Sequence, residues 1–166
     1  MLLLVLLAPV AFADWLSDAR PMMVTEVSVY LWSDDPEAGH RALEAVFQEA
    51  ARIDRLMSTY KDKSEISKIN REAADRATVA SPELYNLLAR AQRISALTDG
   101  AFDITYDSVG QHFDFRARQR PDEATIESEV ANIDYRLVLL DEETKTVYFR
   151  QKGVRINLGG IAKGLS

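Results

Sequence analysis

Apolar positions change their spacing along this chain, and the changes mark the elements. From Met23 to Trp32, "MVTEVSVYLW" is rich in β-branched residues, and Thr25, Val27, Val29 and Leu31 share one face at a spacing of two. This predicts a strand. Leu43, Val46, Phe47, Ala50, Ile53 and Met57 then recur three and four apart, which is one face of an amphipathic helix. Asp34 or Asp35 can cap that helix, and Pro36 suits its first turn. His40 lies early in it on the polar side and reads as a solvated histidine.

Residues 58–80 are polar and broken, with a short helical turn predicted around Ser64 to Asn70. Ser81 caps the next helix, with Pro82 at its first position and Glu83 in its first turn. Leu84, Leu87, Leu88, Ala91, Ile94 and Leu97 form the predicted buried stripe. Asp99-Gly100 ends the helix, the glycine being free to adopt the left-handed conformation. A loop runs through Pro121 and a short acidic helix, "DEATIESEVANI", follows. "YRLVLLDEETKTVYFRQKG" reads as a hairpin turning near residues 142–145, and "VRIN" as a last strand. A strand, then helices, then a mostly β portion makes an α+β or mixed α/β chain rather than regular βαβ winding.

Composition narrows the classes. The 166 residues suffice for one domain with a core, and 47% hydrophobic with 28% charged residues is ordinary for a globular chain. A net charge of -6 with no Lys/Arg run argues against nonspecific nucleic-acid binding. The absence of cysteine excludes disulfides, thiol nucleophiles and cysteine-held metals in these residues. "MLLLVLLAPVAFADW" is too short to span a bilayer and resembles the apolar region and cleavage site of a secretory signal, with cleavage after Ala11-Phe12-Ala13. No Lys or Arg precedes the leucines, and a buried N-terminal strand is the other reading.

Three stretches carry chemistry. "LMSTYKDKSEISKIN", residues 56–70, sets hydroxyls, charges and an amide directly after a helix; by composition it is a solvated loop. In "TDGAFDIT", residues 98–105, a helix ends at a glycine and an aromatic is bracketed by Asp99 and Asp103. Its turn amides can hold a polar ligand and Asp103 can accept from a hydroxyl or ring nitrogen, while the structural alternative is a cap with Phe102 in the core. "NLGGIAKGLS", residues 157–166, pairs Gly159-Gly160 with a helix start and Lys163. That combination suits close approach of an anion, or simply a strand-to-helix turn. It is not a Walker A loop.

Taken together and in order, these stretches resemble the ApbE family, the FAD:protein FMN transferases. "MVT" at 23–25 is similar to the family's M-G-T. "MSTY" at 57–60, "SEIS" at 64–67 with Asn70, "TDGAFDIT" and "NLGGIAKG" match in sequence and order from about Met23 to Ser166. The resemblance implies a T-fold-like flavin transferase domain spanning 14–166 after a signal at 1–13. It implies FAD as substrate, Mg²⁺, and transfer of FMN to a Ser or Thr hydroxyl of an acceptor flavoprotein.

Carried over position by position, Met23, Tyr60, Ala101, Phe102 and Asp103 are implied as flavin-site residues, and Asn157 and Lys163 as further FAD contacts. Gly160 matches a metal-ligand position, here through its carbonyl. The family's later H-x-x-D-P-x-T-G segment and Asp/Thr metal cluster do not occur in these 166 residues. The expectation is therefore an N-terminal part, cut short on its C-terminal side, inactive and marginally stable by itself. The catalytic groups are expected to lie outside it. The alternative is a non-catalytic flavin- or nucleotide-binding module. Val24 stands where Gly is usual, Asn157 where Asp is common and Leu165 where an aromatic is common. Export to the periplasm or to the periplasmic face of the inner membrane is expected, and a cysteine-borne lipid anchor is unsupported.

Overall fold

A computed structural model describes residues 13–23, 25–114 and 117–162. Most of the signal-like segment, Val24 and Lys163 therefore lie outside the described residues. The chain divides into two compact units, one up to Arg52 and one from Ile53.

The first unit opens with an antiparallel hairpin, β1 (Asp14–Met22) and β2 (Thr25–Ser33), in register from Asp14↔Ser33 to Met22↔Thr25. Met23 follows β1 at φ 52, in the left-handed region that short hairpin turns need. β2 has the predicted alternation, with Val27, Val29 and Leu31 half-buried. β1 was not foreseen. Its half-buried positions are Leu16, Asp18, Arg20 and Met22, so two charges hide the alternation. Those charges are matched: Arg20 Nε meets Asp18 Oδ2 at 3.0 Å, Nη2 meets Glu44 Oε2 at 2.8 Å, and the guanidinium lies 4.1 Å from the Phe47 ring centroid. On the other face Trp15 opposes Trp32 edge to face, centroids 5.7 Å apart.

Asp35 Oδ1 caps α1 (Pro36–Met57) by accepting from Ala38 N at 3.0 Å. A Cβ on Gly39 would come within 2.2 Å of Leu16 Cδ1 and 3.0 Å of Ser33 Cβ, so this first turn packs closely against the hairpin and a side chain there would force Leu16 to shift. Leu43, Phe47, Ile53 and Met57 are buried as predicted, but Val46 is 44% exposed. It lies one residue off the line that Leu43 and Phe47 define.

In the second unit, Ser64 caps α2 (Glu65–Glu72) through Ser67 N at 3.1 Å, and Ile66 and Ile69 are fully buried. Ser81 caps α3 (Pro82–Leu97) through Leu84 N at 3.3 Å. Leu84, Leu87, Leu88 and Ala91 are buried; Leu97, placed in the stripe by its spacing, is 85% exposed because the helix ends there. Gly100 takes φ 81 and its N–H donates to Ser95 O at 2.8 Å, closing the helix as expected. β3 (Thr78–Val79), β5 (Thr146–Phe149) and β4 (Val138–Asp141) form an antiparallel sheet in that order, with the predicted hairpin between β4 and β5.

The predicted loop before Pro121 holds a 3-10 turn, Ile104–Tyr106, and a single helical turn, α4 (Asp107–Gly110). The acidic helix is shorter than expected: α5 (Glu123–Glu129), capped by Asp122, gives way to a 3-10 turn at Val130–Asn132.

The predicted last strand, residues 154–157, is corrected. The segment is extended, and Val154, Ile156 and Leu158 are buried in alternation with Arg155 and Asn157, but it joins no sheet ladder among the described residues. Side chains and a turn satisfy its backbone instead. Ile156 N donates to Asn70 Oδ1 at 2.9 Å, and Ile156 O accepts from Asn70 Nδ2 at 3.0 Å. Arg155 N donates to Ser108 Oγ at 3.0 Å, and Asn157 N to Ile104 O at 2.9 Å.

Candidate functional site

Three segments of the second unit meet around a cavity of about 320 Å³. The turn after α1 supplies Thr59 and Tyr60. The 3-10 turn and α4 supply Tyr106, Asp107 and Gly110, with Gln111 and Phe113 just beyond. The extended segment supplies Arg155 and Asn157. Their placement follows from burial. Ile104, Thr105, Ser108 and Val109 anchor one side of the 104–110 turn in the core, and Val154, Ile156 and Leu158 anchor the extended segment. Arg155 and Asn157 are left together on the opposite face of that segment.

One buried carboxylate organises the polar part. Asp107, 6% exposed, holds Arg155 Nε through Oδ2 at 2.6 Å and accepts from Asn157 Nδ2 through Oδ1 at 3.1 Å. The same amide nitrogen reaches Thr59 Oγ1 at 3.3 Å, while Asn157 Oδ1 accepts from Gly159 N at 2.8 Å. The side chain of Asn157 therefore ties three segments together. Tyr60 and Tyr106 are 75% and 44% exposed and line the cavity with Phe113. The Tyr106 phenol is pushed above its ordinary pKa, first by burial and then by the charge of Asp107 and the neighbouring Tyr60 phenol. A neutral ion pair, three aromatic rings and three neutral polar side chains make a site for a planar, hydrogen-bonding ligand.

Of the residues singled out in the sequence, the cavity joins Tyr60 and Asn157. Ala101, Phe102 and Asp103 lie outside its lining. The amides of Ala101 and Phe102, read as ligand donors, donate instead to Thr98 O at 3.0 Å and Thr98 Oγ1 at 3.1 Å. Asp103 caps the 3-10 turn. Its Oδ1 accepts from Thr105 N at 2.8 Å and Thr105 Oγ1 at 2.6 Å, and its Oδ2 from Tyr135 N at 2.8 Å. Three bonds inside the protein thus fix this carboxylate, with an acceptor position left on Oδ2. Ala101 is exposed and Phe102 half-buried, and a Cβ on Gly160 would lie 3.5 Å from Phe102 Cε2, so the glycine turn and Phe102 are neighbours. Neither Gly159 nor Gly160 adopts the left-handed conformation; a Cβ on Gly159 would lie 3.1 Å from Asn157 Oδ1, a tight contact that the Asn157 side chain would have to relieve. Leu158 O accepts from Ile161 N at 2.9 Å and from Ala162 N at 2.8 Å, a first helical turn as read from the sequence. Met23 belongs to the other unit.

Sequence reasoning missed Tyr106, Asp107, Gln111, Phe113 and Arg155. Only Arg155 left a signal: in "VRINL" it shares the non-core face with Asn157. Among the described residues no group of three or more His, Cys, Asp or Glu could hold a metal ion. Gly160, implied as a metal-ligand position, could contribute only its backbone carbonyl.

Known proteins match this chain. The ApbE family model matches residues 23–166. An FAD:protein FMN transferase of Klebsiella pneumoniae is 28% identical over 145 residues, covering 86% of this chain and 45% of the relative. One of Treponema pallidum is 29% identical over 156 residues, covering 89% and 43%. The chain spans less than half the length of these relatives. Among solved structures, the ApbE protein of Thermotoga maritima superposes with a TM-score of 0.79 at 28% identity, over 92% of this chain and 50% of that one. The flavin transferase ApbE from Vibrio cholerae gives 0.76 at 20% identity, a likeness of fold.

Proposed function

This chain belongs to the ApbE family, and we propose that its described residues form the flavin-binding part of an FAD:protein FMN transferase. The reaction class is transfer of FMN from FAD to a Ser or Thr hydroxyl of an acceptor flavoprotein. The observation that carries the reading is the cavity beside the glycine turn. It joins Tyr60 and Asn157, both implied as flavin contacts, with aromatic walls suited to a heterocycle. Met23, Ala101, Phe102, Asp103 and Lys163 remain proposed contacts to FAD. Asp103 also shapes the turn that carries Tyr106 through its bonds to Thr105 and Tyr135, and its Oδ2, which accepts from Tyr135 N alone, keeps room for a further donor.

Mg²⁺ is proposed on the same family basis, with the Gly160 carbonyl as one ligand. When bound, such an ion offsets pyrophosphate charge. The described residues bind and orient. Asp107 is held by Arg155 and Asn157 and is poorly placed to take a proton from an acceptor hydroxyl. Export is also proposed, supported by the apolar run before Ala11-Phe12-Ala13.

Titration of FAD with the purified chain, followed by flavin fluorescence, tests the reading. Saturable quenching is expected, and its absence overturns the proposal. Mg²⁺ and an acceptor flavoprotein are then added and the mixture denatured. A fluorescent protein band would assign catalysis, and not binding alone, to these residues; no band is expected.

A further inference from the structure

We infer that Arg155, clamped by Asp107, is a specificity-determining residue that selects the carbonyl edge of the isoalloxazine ring. The inference rests on the cavity being the flavin site. Asp107 engages only Nε of Arg155, and the two Nη nitrogens make no hydrogen bond among the described residues. Arg155 lines the cavity with 29% of its side chain exposed. A guanidinium fixed at Nε by a buried carboxylate keeps its plane and offers its outer N–H groups as a rigid pair of donors.

Gln111 supplies the complementary acceptor. Its Nε2 donates to Ser108 O at 3.0 Å, which leaves Oε1 without a partner among the described residues. The cavity thus offers cationic donors and one neutral acceptor between phenol walls. The pyrimidine end of a flavin carries two ring carbonyls flanking an N–H, which matches acceptor, donor, acceptor. The amino edge of adenine presents a donor where the flavin presents a carbonyl. A phosphate fits less well, because Asp107 already neutralises the charge of Arg155 and sits beside it.

The experiment uses the whole chain and Arg155→Lys, which keeps the charge opposite Asp107 and removes the planar fork. Riboflavin and AMP, the two halves of the dinucleotide's aromatic chemistry, are titrated separately beside FAD, with thermal melts of each protein. Riboflavin and FAD are expected to bind about tenfold more weakly to the variant, as for loss of one charge-assisted hydrogen bond, with AMP affinity and melting unchanged. If the natural chain binds FAD and Arg155→Lys binds riboflavin equally well, the inference fails while the flavin reading stands. If the loss falls on AMP, the cavity takes adenine and the inference fails. If the natural chain binds neither FAD nor riboflavin, the reading of the cavity fails and the inference with it. Should Arg155→Lys melt early, the double variant Asp107→Asn/Arg155→Gln, a neutral bridge, takes its place with the same expected loss.

Discussion

Asn70 stands in for a β-strand beside Ile156: its amide oxygen accepts from Ile156 N at 2.9 Å and its amide nitrogen donates to Ile156 O at 3.0 Å. The two residues are 86 apart in sequence. Ile156 is fully buried, so both backbone groups need these partners. Asn70→Ala is expected to lower stability by about 2–3 kcal/mol, two part-buried groups losing their bonds. The urea midpoint measures it. Asn70→Asp keeps the acceptor but turns a carboxylate toward a carbonyl, and should be no better than the alanine variant. A midpoint unchanged in both would mean that the Ile156 backbone finds other partners.

The pair of Asp107 and Arg155 is unequal, with side chains 8% and 29% exposed. Asp107→Asn leaves a cation that can still reach water, and about 1–3 kcal/mol of stability is expected to go with the charge-assisted bond. Arg155→Ala strands the more buried partner and should cost at least as much. The order of the two losses in a urea series is the measurement, and a larger loss for Asp107→Asn would contradict this account.

Tyr60 separates binding from folding. At 75% exposure its ring contributes little to the core. Tyr60→Ala is expected to leave the melting temperature in place and to weaken FAD about tenfold, the worth of one stacked ring. Tyr60→Phe should bind close to normally. Parallel FAD titrations and melts decide it, and unaltered affinity in the alanine variant would remove Tyr60 from the site.

Alkali should unfold the protein in a defined direction. The Tyr85 phenol is raised by burial and then by Glu142 and Asp141, and the Tyr106 phenol by burial, Asp107 and Tyr60. The folded state keeps protons that the unfolded chain releases above about pH 10. This stabilisation is complete below the unfolded value and is lost as pH rises through the folded one. Urea midpoints taken upward through pH 10 should fall, and Tyr85→Phe should flatten the fall while keeping the ring under Lys145, 4.6 Å away. An equal slope in the variant would assign the loss to other groups.

Local chemistry made much of this fold legible. Ser81 announced α3 because a capping hydroxyl acts within three residues, whereas the cap that Ser64 gives α2 was not read, only a short helical turn there. β1 was hidden because its inner face includes Asp18 and Arg20, which are matched to each other and to Glu44. The alternation of 154–158 was readable, but not that the partner of Ile156 would be a side chain. The candidate site was half visible. Tyr60 and Asn157 lie in motifs, whereas Asp107 meets Arg155 across 48 residues, a pairing that no local spacing encodes. α4 is a single turn, too short for a hydrophobic period to register.

The chain has two tryptophans, Trp15 and Trp32, and both sit on the β1–β2 hairpin, edge to face. All indole emission from these 166 residues therefore originates in one supersecondary motif of the first unit. The cavity of the second unit is lined by phenols and Phe113 and is dark at tryptophan wavelengths. These residues thus carry two separable optical signals, ultraviolet emission reporting the hairpin and a change in visible flavin emission reporting binding.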